Sequence, residues 1–201
     1  MALIKLPEPR KKGKISVEEA LNTRRSIRKY LDQPLSLQEV GQLLWAAQGI
    51  TNKKGRRTAP SAGALYPIEV YLVAGSVRNL QDGIYRYIPQ WHSLELHIEG
   101  DWREKLCAAA LNQEYIKDAP ASILISAVFD RTRRKYGRSR GARYAGMEAG
   151  NVSQNICLQA VVLHLGTVFV GAFKDSKISC IFDMEDDESP LAIMPVGKIH
   201  D

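Results

Sequence analysis

The sequence predicts one folded domain that contains both helices and strands. Its 201 residues and 45% hydrophobic content are enough for one substantial core and do not require two. Apolar residues at helical spacing follow N-terminal capping signals, and short apolar or β-branched runs lie between turn-forming residues. We therefore expect residues 1–15 to form a flexible basic arm and residues 16–201 to form the domain.

The most prominent predicted element is a long helix between residues 143 and 163, with a continuous apolar stripe from Ala145 to Leu163. Small residues occupy another face, at Gly146, Gly150, Ser153 and Cys157. Since each interior glycine costs a helix about 1 kcal/mol relative to alanine, this face predicts close packing by a neighbouring helix or a ligand. The helix should end near His164, and the run 167–170 predicts a core strand directly after it.

Two shorter helices are predicted near the N-terminus. Each begins with the S-x-x-E spacing of a capping box, Ser16 with Glu19 and Ser36 with Glu39. From Thr51 to Pro67, proline and glycine exclude a regular element, and the small apolar residues predict a loop packed against another part of the protein.

The remaining elements follow from short local patterns. We expect strands at 68–74, 84–88, 94–98, 122–129 and 191–196, and helices at 102–111 and 175–181. His92 and His97 lack the partners of a zinc-binding motif, so no metal site is expected.

Composition narrows the class of protein. The net charge of +6 and pI near 9.2 favour an anionic partner, which could be a nucleic acid, a phosphorylated cofactor or an acidic peptide. Three widely spaced cysteines form neither a disulfide framework nor a CxxC motif. No apolar run is long enough to span a bilayer, so we expect a cytoplasmic protein without membrane contact.

Two basic segments each have two interpretations. The run 24–30 has the arginine and hydroxyl donors that bind a phosphate, but taken alone it favours a solvated basic turn, because short arginine clusters are common on protein surfaces. The segment 130–143 carries seven basic residues and indicates an exposed loop or a lid over an anionic ligand. A nucleic-acid groove is the weaker interpretation, because Tyr136 is the only aromatic residue available for stacking there.

Three segments taken together resemble the flavin-dependent nitroreductase family. They read RRSIRKY at 24–30, PSAGALYP at 60–67, and E-x-G-x-x-x-Q-N at 148–155 followed by LGTVFVG at 165–171. The PSAGALYP segment is similar to the SagB-type dehydrogenase branch of that family. The resemblance covers about residues 17–197.

The resemblance implies an α+β fold with a central, mostly antiparallel sheet flanked by helices. It further implies an intertwined homodimer with one FMN at each of two sites on the subunit interface. NADH or NADPH would donate a hydride to flavin N5 in a ping-pong scheme, and a nitroaromatic, a quinone or another small organic acceptor would remove it. The alternatives are a SagB-like dehydrogenase that oxidises azoline rings in peptides, and a flavin-binding protein without turnover. The absence of a G-x-G-x-x-G fingerprint is consistent with a nicotinamide that binds only transiently.

The resemblance also assigns residues to the cofactor. Arg24, Arg25 and Ser26 would hold the phosphate and ribityl chain, and Arg28 would reach the pyrimidine edge of the ring. The other subunit would donate Pro60, Ser61, Ala62 and Gly63. Val170 and Gly171 would present backbone amides to N5, and Leu165 and Gly166 would line the same side. Leu65, Asn151 and Lys198 complete the set. In place of the longer basic C-terminal segment of many relatives, either Lys198 would bind the phosphate or the N-terminal arginines would suffice.

No side chain is expected to act as an acid–base catalyst, since the flavin would carry the chemistry. Arg28 and Gly171 would tune the ring, because a guanidinium near N1 and O2 stabilises the charge of the reduced form. The sequence departs from the family pattern at His164, where a glycine is common, and at Asn151, where a histidine is common.

Overall fold

A computed structural model describes residues 3–200 of the protein. The helices are α1 (Val17–Thr23), α2 (Leu37–Gln48), α3 (Arg103–Ala109), α4 (Tyr115–Asp118), α5 (Asp130–Tyr136), α6 (Arg138–Val162) and α7 (Asp175–Ile181). The strands are β1 (Leu3–Lys5), β2 (Ile68–Ala74), β3 (Gly83–Ile88), β4 (Ser93–Glu99), β5 (Ala121–Val128), β6 (Leu165–Thr167) and β7 (Glu188–Lys198).

The strands form one seven-stranded sheet in the order β1-β4-β3-β2-β5-β7-β6. Every pair of neighbouring strands is antiparallel. Helices cover both faces, so the expected α+β fold with an antiparallel sheet flanked by helices is confirmed.

The two faces of the sheet carry two hydrophobic cores. Along β2, Val70 and Leu72 enter the core that includes α2 and α6, whereas Tyr71 and Val73 enter the core that includes α3 and α7. This alternation follows from the two-residue period of a strand. The strand predicted at 68–74 and the helix predicted at 175–181 agree with β2 and α7.

The N-terminal residues differ from the expectation of a flexible arm. Leu3–Lys5 form β1 and pair with β4, and the side chain of Leu6 is buried. Further along, the backbone of Arg10 exchanges hydrogen bonds with the side chain of Gln42. The expectation of a flexible arm is wrong for residues 3–5, and local sequence patterns could not reveal this because the partner strand lies about 90 positions away. The first two residues of the arm lie outside the described range.

The basic segment 130–143 is not a loop or a lid. It forms α5 and the first turns of α6, separated by Gly137 at φ 77°. The two helices approach so closely at Gly141 that a Cβ there would lie 2.8 Å from the backbone nitrogen of Arg133. Helix α6 begins at Arg138, five residues before the predicted start at residue 143. The sequence analysis missed these helical turns because the many charged residues hide the amphipathic pattern.

Candidate cofactor site

The segment that follows α1 lies directly beside β6 and β7. The backbone nitrogen of Ile27 donates to the carbonyl of Thr167 at 3.0 Å, and that of Leu31 donates to the carbonyl of Lys198 at 2.9 Å. Gly166 permits this approach, since a Cβ there would lie 2.6 Å from Cγ2 of Ile27. The structure thus brings the RRSIRKY and LGTVFVG segments together.

The side chains of this segment are largely open to solvent. Arg25, Ser26 and Arg28 are exposed and Arg24 is half-buried. Arg25 donates to the carbonyls of Asn22 and Arg24, so its guanidinium is held close to the chain. Within residues 3–200, none of the three arginines pairs with a carboxylate. Their charges remain available to an anion.

The chain after β6 borders the same surface. Gln113 donates to the carbonyl of Ala172 at 2.9 Å and accepts from the hydroxyl of Tyr115, whose ring lies 5.9 Å from the guanidinium of Arg28. We call this group the arginine half-site, defined as residues 24–28, Leu165, Gly166 and residues 170–172.

Two residues assigned to the cofactor by resemblance are placed differently. The backbone nitrogen of Val170 donates to the carbonyl of Ile193 at 2.9 Å, so Val170 does not present a free amide. Among residues 3–200, the amide of Gly171 has no partner and can serve a ligand. The ammonium group of Lys198 pairs with Glu39 on α2, which places it on a carboxylate rather than on the arginine segment.

The loop 60–67 lies in a second cluster. Gly63, Ala64 and Tyr66 all adopt positive φ, at 64°, 54° and 48°. Ser61 Oγ accepts from the nitrogen of Tyr66 at 2.8 Å, and Arg131 donates to the Tyr66 carbonyl at 2.9 Å. The loop is therefore held in an unusual conformation by specific contacts, and the expectation that it packs against the protein is confirmed.

Side chains of α5 and α6 support this loop. A Cβ on Gly63 would lie 2.6 Å from the hydroxyl of Tyr136 and 3.0 Å from Nζ of Lys135. Beneath the loop, the carboxyl group of Glu148 is buried beside the side chains of Ser61 and Gln48. Its Oε1 has no hydrogen-bond partner in the described part of the chain. We call residues 60–65 with these supports the loop half-site.

Sequence reasoning did not assign roles to Lys135, Tyr136 or Glu148. A signal existed for Glu148, because it is the one carboxylate in the predicted helix 143–163, next to Ala149 of the apolar stripe. No comparable signal marked Lys135 and Tyr136, whose approach to Gly63 depends on how α5 folds back on the loop.

Replacing Glu148 with glutamine should change how stability depends on pH. Burial raises the pKa of Glu148 above its ordinary value of 4.5, although Ser61, Gln48 and Arg57 act to lower it. Its contribution to stability is complete below the unfolded-state pKa and is lost as pH rises through the folded-state pKa. Glutamine does not titrate, so Glu148→Gln should gain stability relative to the wild type as pH rises, measured by urea unfolding between about pH 4 and pH 8.

Glu39→Gln is the matched control, because its stability relative to the wild type should change with pH in the opposite direction. Burial acts to raise the pKa of Glu39, but hydrogen bonds from Lys198 and Ser36 outweigh it and lower the pKa. That contribution is present above the unfolded-state pKa and is lost as pH falls, so Glu39→Gln should lose stability relative to the wild type as pH rises. If the relative stability of both variants changed with pH in the same direction, the conclusion that burial raises the pKa of Glu148 would be contradicted.

The two half-sites lie at different positions along α6. Glu148 supports the loop half-site, whereas β6 of the arginine half-site follows the helix end at Val162. At about 1.5 Å per residue, roughly 20 Å of helix separates these positions. Within one protomer the two half-sites therefore do not face the same planar ring.

The described residues provide no metal-binding cluster, and no helix among them is long and apolar enough to cross a membrane. His92 and His97 each use Nε2 to contact a backbone carbonyl, that of Pro7 and that of Phe182. All three cysteines are free.

Comparison with known proteins identifies the family. The family model of the nitroreductase family matches residues 21–198. A protein of Methanocaldococcus jannaschii named as a nitroreductase is 45% identical over 184 residues, which cover 92% of this chain and 91% of that protein.

Solved structures agree with this assignment. A protein from Ralstonia eutropha described as a nitroreductase matches with a TM-score of 0.87 and 29% identity, covering 99% of this chain and 90% of that one. The Escherichia coli microcin synthetase McbBCD complex with truncated pro-MccB17 bound contains a chain that matches with a TM-score of 0.75 and 25% identity, covering 100% of this chain and 79% of that one. By sequence and by fold, the chain belongs to the nitroreductase family and is an oxidoreductase of that family.

Proposed function

We propose that the protein is an FMN-dependent oxidoreductase that takes a hydride from NADH or NADPH and passes it to a nitroaromatic, a quinone or another small organic acceptor. Bound FMN would supply the two-electron chemistry at N5. The observation that carries the proposal is the arginine half-site. Within residues 3–200 its arginines have no carboxylate partner, and they lie beside the closely packed Gly166 and the amide of Gly171, which has no partner in that range.

The donors of the arginine half-site suit a phosphorylated ligand. A phosphate monoester needs several charge-assisted hydrogen bonds to replace its hydration, and guanidinium groups provide them in planar pairs. Arg24, Arg25 and Ser26 supply these donors on one short segment whose position is set by the Ile27 to Thr167 bond. Arg28 and the Gly171 amide then lie further along the same surface, where they would orient the ring.

We further propose that the protein works as a homodimer whose interface includes the exposed face of α6. That face carries Gly146, Met147, Gly150, Asn151 and Gln154, and Met147 is 59% exposed. Apart from its chain neighbours and the adjacent backbone of α6, a Cβ on Gly146 or Gly150 would meet no atom of residues 3–200 within 4 Å. A two-fold axis there would place the loop half-site of one protomer beside the arginine half-site of its partner, which explains why the two lie apart within one chain.

Arg28→Ala should lower the reduction potential of the bound flavin and slow its reduction. A guanidinium beside the pyrimidine edge stabilises the negative charge of the reduced ring more than the neutral oxidised ring. We expect a loss of about 30 mV or more, since that corresponds to about 1.4 kcal/mol for a two-electron couple. Potentials are measured by dye equilibration. Arg25→Ala is the control, since it should weaken FMN binding and leave the potential unchanged; an unchanged potential in Arg28→Ala would refute the ring assignment.

Oxidation of azoline rings in a peptide is a second candidate. It is favoured by the similarity to a chain of the microcin synthetase complex and by the approach of Lys135 and Tyr136 to Gly63. Such an oxidation removes a hydride, which the flavin would take, and a proton, which a neutral amine or a phenolate beside the ring would accept. Tyr136→Phe should then reduce azoline oxidation and leave nitroaromatic reduction unaffected.

The first experiment is the visible absorption spectrum of the purified protein before and after anaerobic addition of NADH or NADPH. Flavin bands that bleach, followed by reoxidation with a quinone or nitroaromatic, are the expected result. Flavin bands that do not bleach would favour azoline oxidation or a binding role without turnover. A colourless protein that stays colourless after incubation with FMN would overturn the proposal.

A further inference from the structure

A polar cavity of about 360 Å³ opens beside Leu65 and Tyr66 of the loop. Its polar lining comes from four parts of the chain, namely the segment before the loop, β2, the β3–β4 hairpin and α5. The residues that carry the argument are Arg57, Tyr66, Glu69, Arg86 and Arg131. We call this cavity the arginine pocket.

Positive charge in the arginine pocket exceeds negative charge. Glu69 lies between two guanidinium groups, with Oε2 at 3.1 Å from Arg86 and Oε1 at 2.6 Å from Arg131. Arg57 is the third guanidinium. The lining therefore has three cations and one carboxylate. Glu188 acts on Arg86 from a distance, but its carboxylate is bound to Tyr71 and Ser126 and does not line the cavity.

Arg57 has the least compensated charge. It donates to Oε1 of Gln48 at 2.9 Å and stacks on the ring of Tyr66 with 4.5 Å between guanidinium carbon and ring centroid. Within the described range it has no carboxylate within 4 Å. Burial lowers the pKa of Arg57, and Glu69 and Glu148 only partly oppose that effect. A partly desolvated cation of this kind is stabilised by an incoming anion.

The geometry points to a binding site for the carboxylate of the substrate, formed by Arg57, Arg86 and Arg131 with the ring of Tyr66 as an aromatic wall. The preferred acceptors are then small nitroaromatics or quinones that carry a carboxylate, rather than neutral ones. This inference rests on the proposed function, because it places the loop half-site beside the flavin of the partner protomer. Planar guanidinium pairs match a carboxylate, and the Tyr66 ring matches an aromatic body attached to it.

A matched pair of acceptors tests the inference. 4-Nitrobenzoate and 4-nitrobenzamide have nearly the same shape and differ in charge. With NADH or NADPH as donor, kcat/KM for the benzoate should exceed that for the amide by about tenfold, as expected for charge-assisted hydrogen bonds. Arg57→Gln should abolish this preference by raising KM for the benzoate, with KM for the amide unchanged. Equal kcat/KM values for the two acceptors in the wild-type protein would overturn the inference.

Two further variants separate the pocket from general effects of charge and folding. Arg86→Gln removes a side chain that is 39% exposed and bonds to Glu69, and it should also reduce the preference. Arg134→Gln on α5 removes an 82% exposed guanidinium that pairs with Asp130 outside the pocket, and it should keep the preference. Loss of the preference in Arg134→Gln as well would show a long-range charge effect and overturn the inference.

Calorimetric binding of 4-nitrobenzoate separates this inference from the proposed function. Binding that is lost in Arg57→Gln, in a protein that shows no turnover, would support the pocket and count against the reductase activity. Turnover of both acceptors, with benzoate binding that survives in Arg57→Gln, would support the reductase activity and overturn the pocket.

Discussion

Gly150→Leu should convert the proposed dimer into folded monomers that no longer bind FMN. Within the protomer the new side chain meets open space, because a Cβ on Gly150 has no neighbour within 4 Å. Replacement of an interior helical glycine also favours the helix by about 1 kcal/mol, so the protomer should not lose stability. At an interface between two α6 helices, however, leucine would separate the backbones. The arginine half-site would then lose the partner's loop half-site.

Light scattering and the flavin absorbance of the purified protein measure this result. Lys177→Leu is the control, since it adds the same side chain at an exposed position of α7, away from the α6 face. Gly146→Leu should repeat the effect of Gly150→Leu, one turn earlier on the same face. A Gly150→Leu variant that remains a flavin-containing dimer would show that the interface lies elsewhere.

Gly166→Ala should destabilise the protomer and weaken FMN binding. Its methyl group would lie 2.6 Å from Cγ2 of both Ile27 and Ile199 and 2.9 Å from Cβ of Ile27. Branched side chains cannot move aside easily, so the arginine segment must shift away from β6. Overpacking of this kind costs about 1–3 kcal/mol. Because Arg24, Arg25 and Arg28 move with Ile27, we expect FMN affinity to fall by about tenfold or more.

Urea unfolding measures the loss of stability, and titration of flavin fluorescence measures the affinity. Gly13→Ala is the control, since it makes the same chemical change where the nearest atom to the new Cβ is Cγ1 of Val162 at 3.5 Å, an ordinary van der Waals distance, and it should be tolerated. Gly166→Ala with wild-type stability and FMN affinity would show that the contact between Ile27 and β6 does not position the arginines.

Several elements could be predicted because their signals are local. The β2 strand at 68–74, the α7 helix at 175–181 and the Ser36–Glu39 capping box each depend on residues within a few positions of one another. Arg25 and Arg28 are exposed and Gly166 is closely approached, but the cofactor roles that the resemblance implies for them stay predictions.

Other features depend on contacts between distant residues. The ion pair between Glu39 and Lys198 spans 159 positions, and it occupies a lysine that the resemblance assigns to phosphate. The bond from Val170 to Ile193 occupies an amide assigned to flavin N5. Neither partner can be identified from local periodicity, because hydrogen bonds of this kind are set by which segments the sheet brings together.

The sequence by itself determined the family resemblance, most of the element types and the segments that carry the site. The tertiary structure alone decided that residues 3–5 complete the sheet, that the basic segment 130–143 is helical and that the two half-sites lie far apart on α6. It also decided that Arg57, Arg86 and Arg131 surround one cavity. The physical reason is that helix caps and strand runs depend on near neighbours, whereas strand partners, helix crossings and charge clusters depend on the packing of the whole chain.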